Sequence, residues 1–164
     1  ATATLDGRSY PNGAHVAEVE VDPETGQVVL LSYVAADDFG TLLEPELVAG
    51  QVHGGVAQGV GQALCEACVH DATGQLLSGS LMDYALPRAG DLPMFGLVSV
   101  PVPTRRNALG MKGCGEAGPV GALGAIGNAL RDALAPAGVR RVDMPFTPHR
   151  VWTWLNEVRA DRAE

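Results

Sequence analysis

The chain has 164 residues, 46% of them hydrophobic, with a net charge of −8 and a pI near 4.9. That length buries one core and argues for one domain over residues 1–164. The acidic balance excludes nucleic acid and an anionic membrane surface as partners, since both attract basic patches.

The uncharged stretch 48–65 holds five glycines, three glutamines and a histidine, so it does not read as a membrane span. The first fifteen residues lack a basic start and an apolar run, so no secretory leader is expected and the location expected is cytoplasmic. Three cysteines in such a chain do not suggest a disulfide framework. Cys65 and Cys68 form a C-x-x-C with no second pair, and are expected to be small buried side chains. His53, His70 and His149 are too scattered to complete a metal site. Glycine, at 21 residues, is nearly twice the ordinary usage of about 7%. The start, ATATLDGRSYPNG, has no initiator methionine, and the chain reads as a piece of something larger.

In chain order, residues 15–21 (HVAEVEV) alternate apolar and polar, as a strand with one buried face does. DPETG makes a turn, and a second strand over 27–36 completes a hairpin. Pro45 opens a long helix reaching about residue 68, since proline suits a first helical turn. Residues 76–85 and 96–102 are predicted strands. A second helix covers 119–134, residues 138–144 (GVRRVDM) are a short strand candidate, and a terminal helix covers 148–159. The expectation is an α+β fold: an N-terminal β-hairpin and mixed sheet packed with two long helices and a C-terminal helix.

At 100° per residue, the first helix places Gln51, Gly55, Gln58 and Gln62 on one face, with Gly54 nearby, and Val52, Val56, Val60, Ala63 and Leu64 opposite. Glycine costs about 1 kcal/mol relative to alanine on a helix, so something approaches that face closely. A hydrogen-bonding cofactor such as a pterin or phosphate, and a neighbouring helix, both satisfy the pattern.

KGCGEAG at 112–118 spells G-x-G-x-x-G from Gly113 through Gly115 to Gly118. A dinucleotide fingerprint needs a buried strand running into its first glycine; PTRRNALGMK precedes Gly113 instead, and Glu116 would repel a phosphate. The alternative is that the glycines let backbone approach a bulky cofactor while Glu116 faces its reactive atom as a general base. A plain helix-capping role for Glu116 satisfies the composition as well.

GQVHGGVAQGVGQAL (50–64), SLMDYALPRAGDLP (80–93), KGCGEAGPVGA (112–122) and DMPFTPHRVW (143–152), in this order, resemble the C-terminal part of the large subunit of molybdenum hydroxylases. This is the xanthine dehydrogenase, aldehyde oxidase and aerobic carbon monoxide dehydrogenase family, and YPNGAHVAEVEVDPETG and DDFG extend the likeness over nearly the whole chain. The resemblance implies that Glu116 is the general base that deprotonates a molybdenum-bound hydroxide in the oxidative hydroxylation of an aldehyde, a heterocycle or carbon monoxide. It implies that Lys112, Gly113, Cys114 and Gly115 lie along the molybdopterin cofactor, with the Gln51 amide near it and Gln58 and Gln62 as weaker candidates. The pterin ligates the metal in that family, so no protein metal ligand is expected.

The implied partners are the remainder of the large subunit, iron-sulfur and FAD subunits or domains, and a small-molecule substrate. The family's subunit is several times longer, so this chain alone is expected to bind no cofactor and to be inactive. A non-catalytic molybdopterin-binding or assembly module, and a nucleotide-binding domain, are the competing readings.

Overall fold

The computed structural model describes residues 7–161. Strands β1 (Asn12–Val21) and β2 (Val28–Asp38) form an antiparallel hairpin, and β3 (Gly96–Ser99) adds to β2 in parallel, giving the order β1-β2-β3. The alternation in β1 turns His15, Ala17, Val19 and Val21 toward the core, and their neighbours outward. The hairpin turn is built by Asp22, whose carboxylate accepts from the Glu24 N–H at 2.9 Å and the Thr25 hydroxyl at 2.6 Å. Gly26 follows with φ +73°, where a Cβ would stand 2.1 Å from the Pro148 carbonyl oxygen, so only glycine fits. Pairing shifts by one residue between Glu18↔Ser32 and Val19↔Leu30. This bulge leaves Leu31 unpaired and restores the inward facing of Leu30 and Tyr33 together.

Helix α1 (Pro45–Leu64) begins at its proline, α2 runs over Ala117–Leu134 and α3 over Pro148–Asp161. Helix α2 lies on the hairpin and α1 packs on α2. The core joins Leu30, Tyr33 and Ala35 of β2 to Val52, Val56, Val60 and Ala63 of α1. Ala122, Ile126, Leu130 and Leu134 of α2, at the four-residue spacing of one helical face, complete it with Val151 and Leu155 of α3.

The two helices meet through glycine. A Cβ on Gly55 would lie 2.7 Å from Pro119 Cδ, one on Gly59 2.6 Å from Ala122 Cβ, and one on Gly118 2.7 Å from the Gly55 carbonyl carbon. The close neighbour of these α1 glycines is therefore a helix, whereas Gly54 faces open space.

The α+β expectation holds, with four corrections. Helix α1 stops at Leu64, where the N–H groups of Cys65 and Glu66 both turn back to the Gly61 carbonyl. Residues 76–85 form no strand: the Ser80 hydroxyl bonds Asp83, the Ser80 carbonyl takes the Asp83 and Tyr84 N–H groups, and the chain turns. Residues 138–144 form no strand either, and β3 ends at Ser99, short of the predicted 102.

Candidate functional site

The segment before Gly113 is a hook, not a strand. Gly40 and Met111 pair as an antiparallel bridge, the Thr41 N–H donates to the Gly110 carbonyl at 3.0 Å, and the Lys112 N–H donates to the Phe39 carbonyl at 2.9 Å. The Asn107 side chain closes the hook by donating to the Met111 carbonyl and accepting its N–H. The strand-to-glycine geometry of a dinucleotide site is absent, and α2 begins at Ala117, inside the would-be fingerprint.

Beyond Lys112 the bonding stops. Among the described residues, the N–H groups of Gly113, Cys114, Gly115 and Glu116 donate to no acceptor, and nothing approaches the Cβ position of Gly113 within 4 Å. Glu116 occupies the N-cap position of α2 with φ −110° and ψ 0°, a sparsely populated backbone region often used at functional sites. Its side chain makes no capping hydrogen bond and is exposed, so the capping role is not the one it plays. The Gln51 amide, on the exposed side of α1, comes within ordinary contact of this segment: its Nε2 is 3.8 Å from where a Gly115 Cβ would be.

Lys112 and Cys114 behave differently from their neighbours. The Lys112 ammonium turns back into the protein and pairs with Asp38, both side chains being nearly buried. The same carboxylate accepts the N–H groups of Gly40 and Val102, each at 2.9 Å. The Lys112 hydrogen bond, aided by those N–H donors and opposed by burial, holds the Asp38 carboxyl down at about 2. Cys114 is half-buried and packs against the core.

A cavity of about 740 Å³ opens beside Glu116 between residues 9–13, the hairpin and α2. His15 and Asp37 line it and belong to a polar triad that sequence reasoning missed: His15 Nε2 lies 3.1 Å from Asp37 Oδ1, and Nδ1 lies 2.7 Å from the buried Tyr33 hydroxyl. A carboxylate only accepts, so Nε2 carries a proton toward Asp37, while Nδ1 and the Tyr33 hydroxyl share a second hydrogen bond. Burial, and then the Asp37 charge, raise the Tyr33 pKa and keep that hydroxyl protonated. The imidazole sits directly on α2, since a Cβ on Gly121 would come 2.1 Å from Nδ1. The inward phase of His15 in an alternating strand was the available signal. Its partners lie 18 and 22 residues away and follow only from the hairpin register.

Gln58 and Gln62 are exposed on α1. Cys65 is half-buried and bonds the Gly61 carbonyl, while Cys68 is exposed, so the expectation of two buried thiols fails for Cys68.

Fold and site together define an α+β unit that presents a bare glycine segment and a carboxylate at a helix start. Residues 2–93 match the model of the molybdopterin cofactor-binding domain, and the chain belongs to that family, which occurs in the large subunits of molybdenum oxidoreductases. It is 37% identical over 149 residues to the carbon monoxide dehydrogenase large chain of Hydrogenophaga pseudoflava, covering 91% of this chain and 19% of that protein. It is 38% identical to the nicotine 6-hydroxylase large subunit of Paenarthrobacter nicotinovorans, covering 87% and 17%. Among solved structures, quinoline 2-oxidoreductase from Pseudomonas putida 86 superposes with a TM-score of 0.87 at 37% identity, covering 90% and 19%. The chain thus spans about a fifth of the length of the relatives it matches.

Proposed function

We propose that this chain is the C-terminal segment of a molybdenum hydroxylase large subunit, forming one domain that supplies part of the molybdopterin surface and the general base, Glu116. The carrying observation is the contrast at residues 112–116: a tightly bonded hook releases four free N–H donors and then an exposed, unpartnered carboxylate.

The residues fit a molybdopterin cofactor. Free N–H groups at 113–116, open space over Gly113 and the Gln51 amide beside Gly115 offer donors to a ligand rich in acceptors, with no side chain in the way. Gly113, Cys114 and Gly115 would hold it through backbone, and Gln51 through its amide. Lys112 would contribute its backbone alone, its ammonium being engaged with Asp38. When bound, the cofactor supplies the redox centre and the oxygen that is transferred. Glu116 would serve as the proton acceptor beside it, and its lack of protein hydrogen bonds leaves both carboxylate oxygens able to do so. An aldehyde, a nitrogen heterocycle or carbon monoxide is the substrate class; relatives named for carbon monoxide, nicotine and quinoline resemble the chain about equally.

The rest of the large subunit is the expected partner, with iron-sulfur and FAD subunits or domains accepting electrons. The outer sheet face supports this reading, for Val16, Val34 and Val98 are 67%, 40% and 50% exposed on adjoining strands, an apolar face that suits covering by more protein. In the complete enzyme, Glu116→Gln should leave molybdenum content unchanged and lower turnover by about 10²- to 10⁴-fold. Near-normal turnover would refute the base assignment.

A further inference from the structure

The hook and the free segment are joined at one charged pair. Asp38 ends β2, and its two oxygens divide the work: Oδ1 takes the Gly40 and Val102 N–H groups, and Oδ2 takes the Lys112 ammonium. The side chains are 12% and 10% exposed, so each charge has lost most of its water and relies on the other. The Lys112 backbone is tied to Phe39 as well. Two residues beyond Glu116, Gly118 presses on the backbone of α1 at Gly55 and Val56. Glu116 therefore hangs from a chain fixed at 112 on one side and at 118 on the other.

We propose that Asp38 and Lys112 form a clamp that sets the reach of residues 113–116, making both of them positioning residues for Glu116. The proposal rests on the reading of Glu116 as the base. The lysine's charge serves the protein and is not offered to the cofactor. Loss of either partner lets the segment shift, and a displacement of about 1 Å in a reacting group can cost on the order of 10²-fold in rate.

The test uses the complete, cofactor-loaded enzyme carrying Asp38→Asn, which keeps the acceptor for the two N–H groups, Lys112→Met, the double variant and Lys112→Arg. Each single charge-removing variant should lower kcat about 10²-fold with KM changed far less, and should keep its molybdenum. The double variant should be no worse than the poorer single one, because both remove the same interaction. Lys112→Arg, which retains a cation, should recover most of the rate. Hydrogen exchange of peptides covering 110–118 should speed up about tenfold in the charge-removing variants.

Should the single variants fail to accumulate, the double variant, which buries no lone charge, carries the exchange measurement. Loss of molybdenum in Lys112→Met but not in Asp38→Asn would make Lys112 a cofactor ligand and overturn the clamp. So would unchanged exchange at 110–118. Glu116→Gln should leave that exchange as in the wild type, so failure of the base assignment and failure of the clamp give separate results.

Discussion

Residues 104–112 and residues 113–116 are neighbours in sequence and opposites in bonding. The first stretch is stitched to residues 38–41 through backbone pairs and the buried Asp38–Lys112 pair, and is closed on itself by the Asn107 side chain. The second makes no hydrogen bond through its N–H groups among the described residues. Four consecutive free N–H groups beside an exposed carboxylate give that short segment the capacity to bind a ligand rich in acceptors. The glycines divide along the same line. Gly40, Gly110 and Gly118 are required by left-handed backbone or by contacts under 3 Å, while Gly113 and Gly115 meet nothing closer than 3.8 Å.

Attacking the framework should cost the most stability. His15→Ala leaves the Asp37 carboxylate buried and unpaired beneath α2, and about 3–5 kcal/mol should be lost in a denaturant titration. Gly118→Ala drives a methyl into the α1 backbone, which cannot yield as a flexible side chain would, so a loss of about 3 kcal/mol is expected, the upper end for overpacking. Acid loosens the hook by a smaller amount. The Asp38 pKa is lowered from 3.8 to about 2. Its contribution is therefore present in full above the ordinary carboxylate range and disappears as pH falls through that window. About 2 kcal/mol should vanish there at roughly 1.4 kcal/mol per unit, and Asp38→Asn should flatten this part of the stability–pH curve. Gly113→Ala is the sharpest contrast. It should change stability by less than about 0.5 kcal/mol, yet lower the molybdenum content of the complete subunit, since the methyl occupies space the cofactor needs. A variant that is both stable and fully loaded would assign that glycine to neither role.

Much of the fold was legible because its signals are local. Alternation at 15–21, the DPETG turn, Pro45 and Pro119 locate the hairpin and both long helices to within a few residues. The failures have physical causes. Leu76, Leu77, Leu81 and Met82 gave an apolar count suited to a strand, but Ser80 and Asp83 bond each other in a turn and these four side chains stay exposed. Arg140 and Arg141 in GVRRVDM found no partner strand.

At the site, the motif order identified the family and singled out Glu116, Gln51 and the glycines. The pairs that hold these in place were not legible, because Lys112 lies 74 residues from Asp38 and their meeting depends on the hook docking at the end of β2. Adjacent aspartates at that end, Asp37 facing α2 and Asp38 facing the hook, were the only hint, since alternation sends consecutive strand side chains to opposite faces.

The central claim is that the free segment exists to present a proton acceptor. The direct measurement is the single-turnover rate at which substrate reduces the complete enzyme, compared for wild type and Glu116→Gln at equal molybdenum content. The account predicts a variant slower by about 10²- to 10⁴-fold. A variant that keeps the wild-type rate would contradict it.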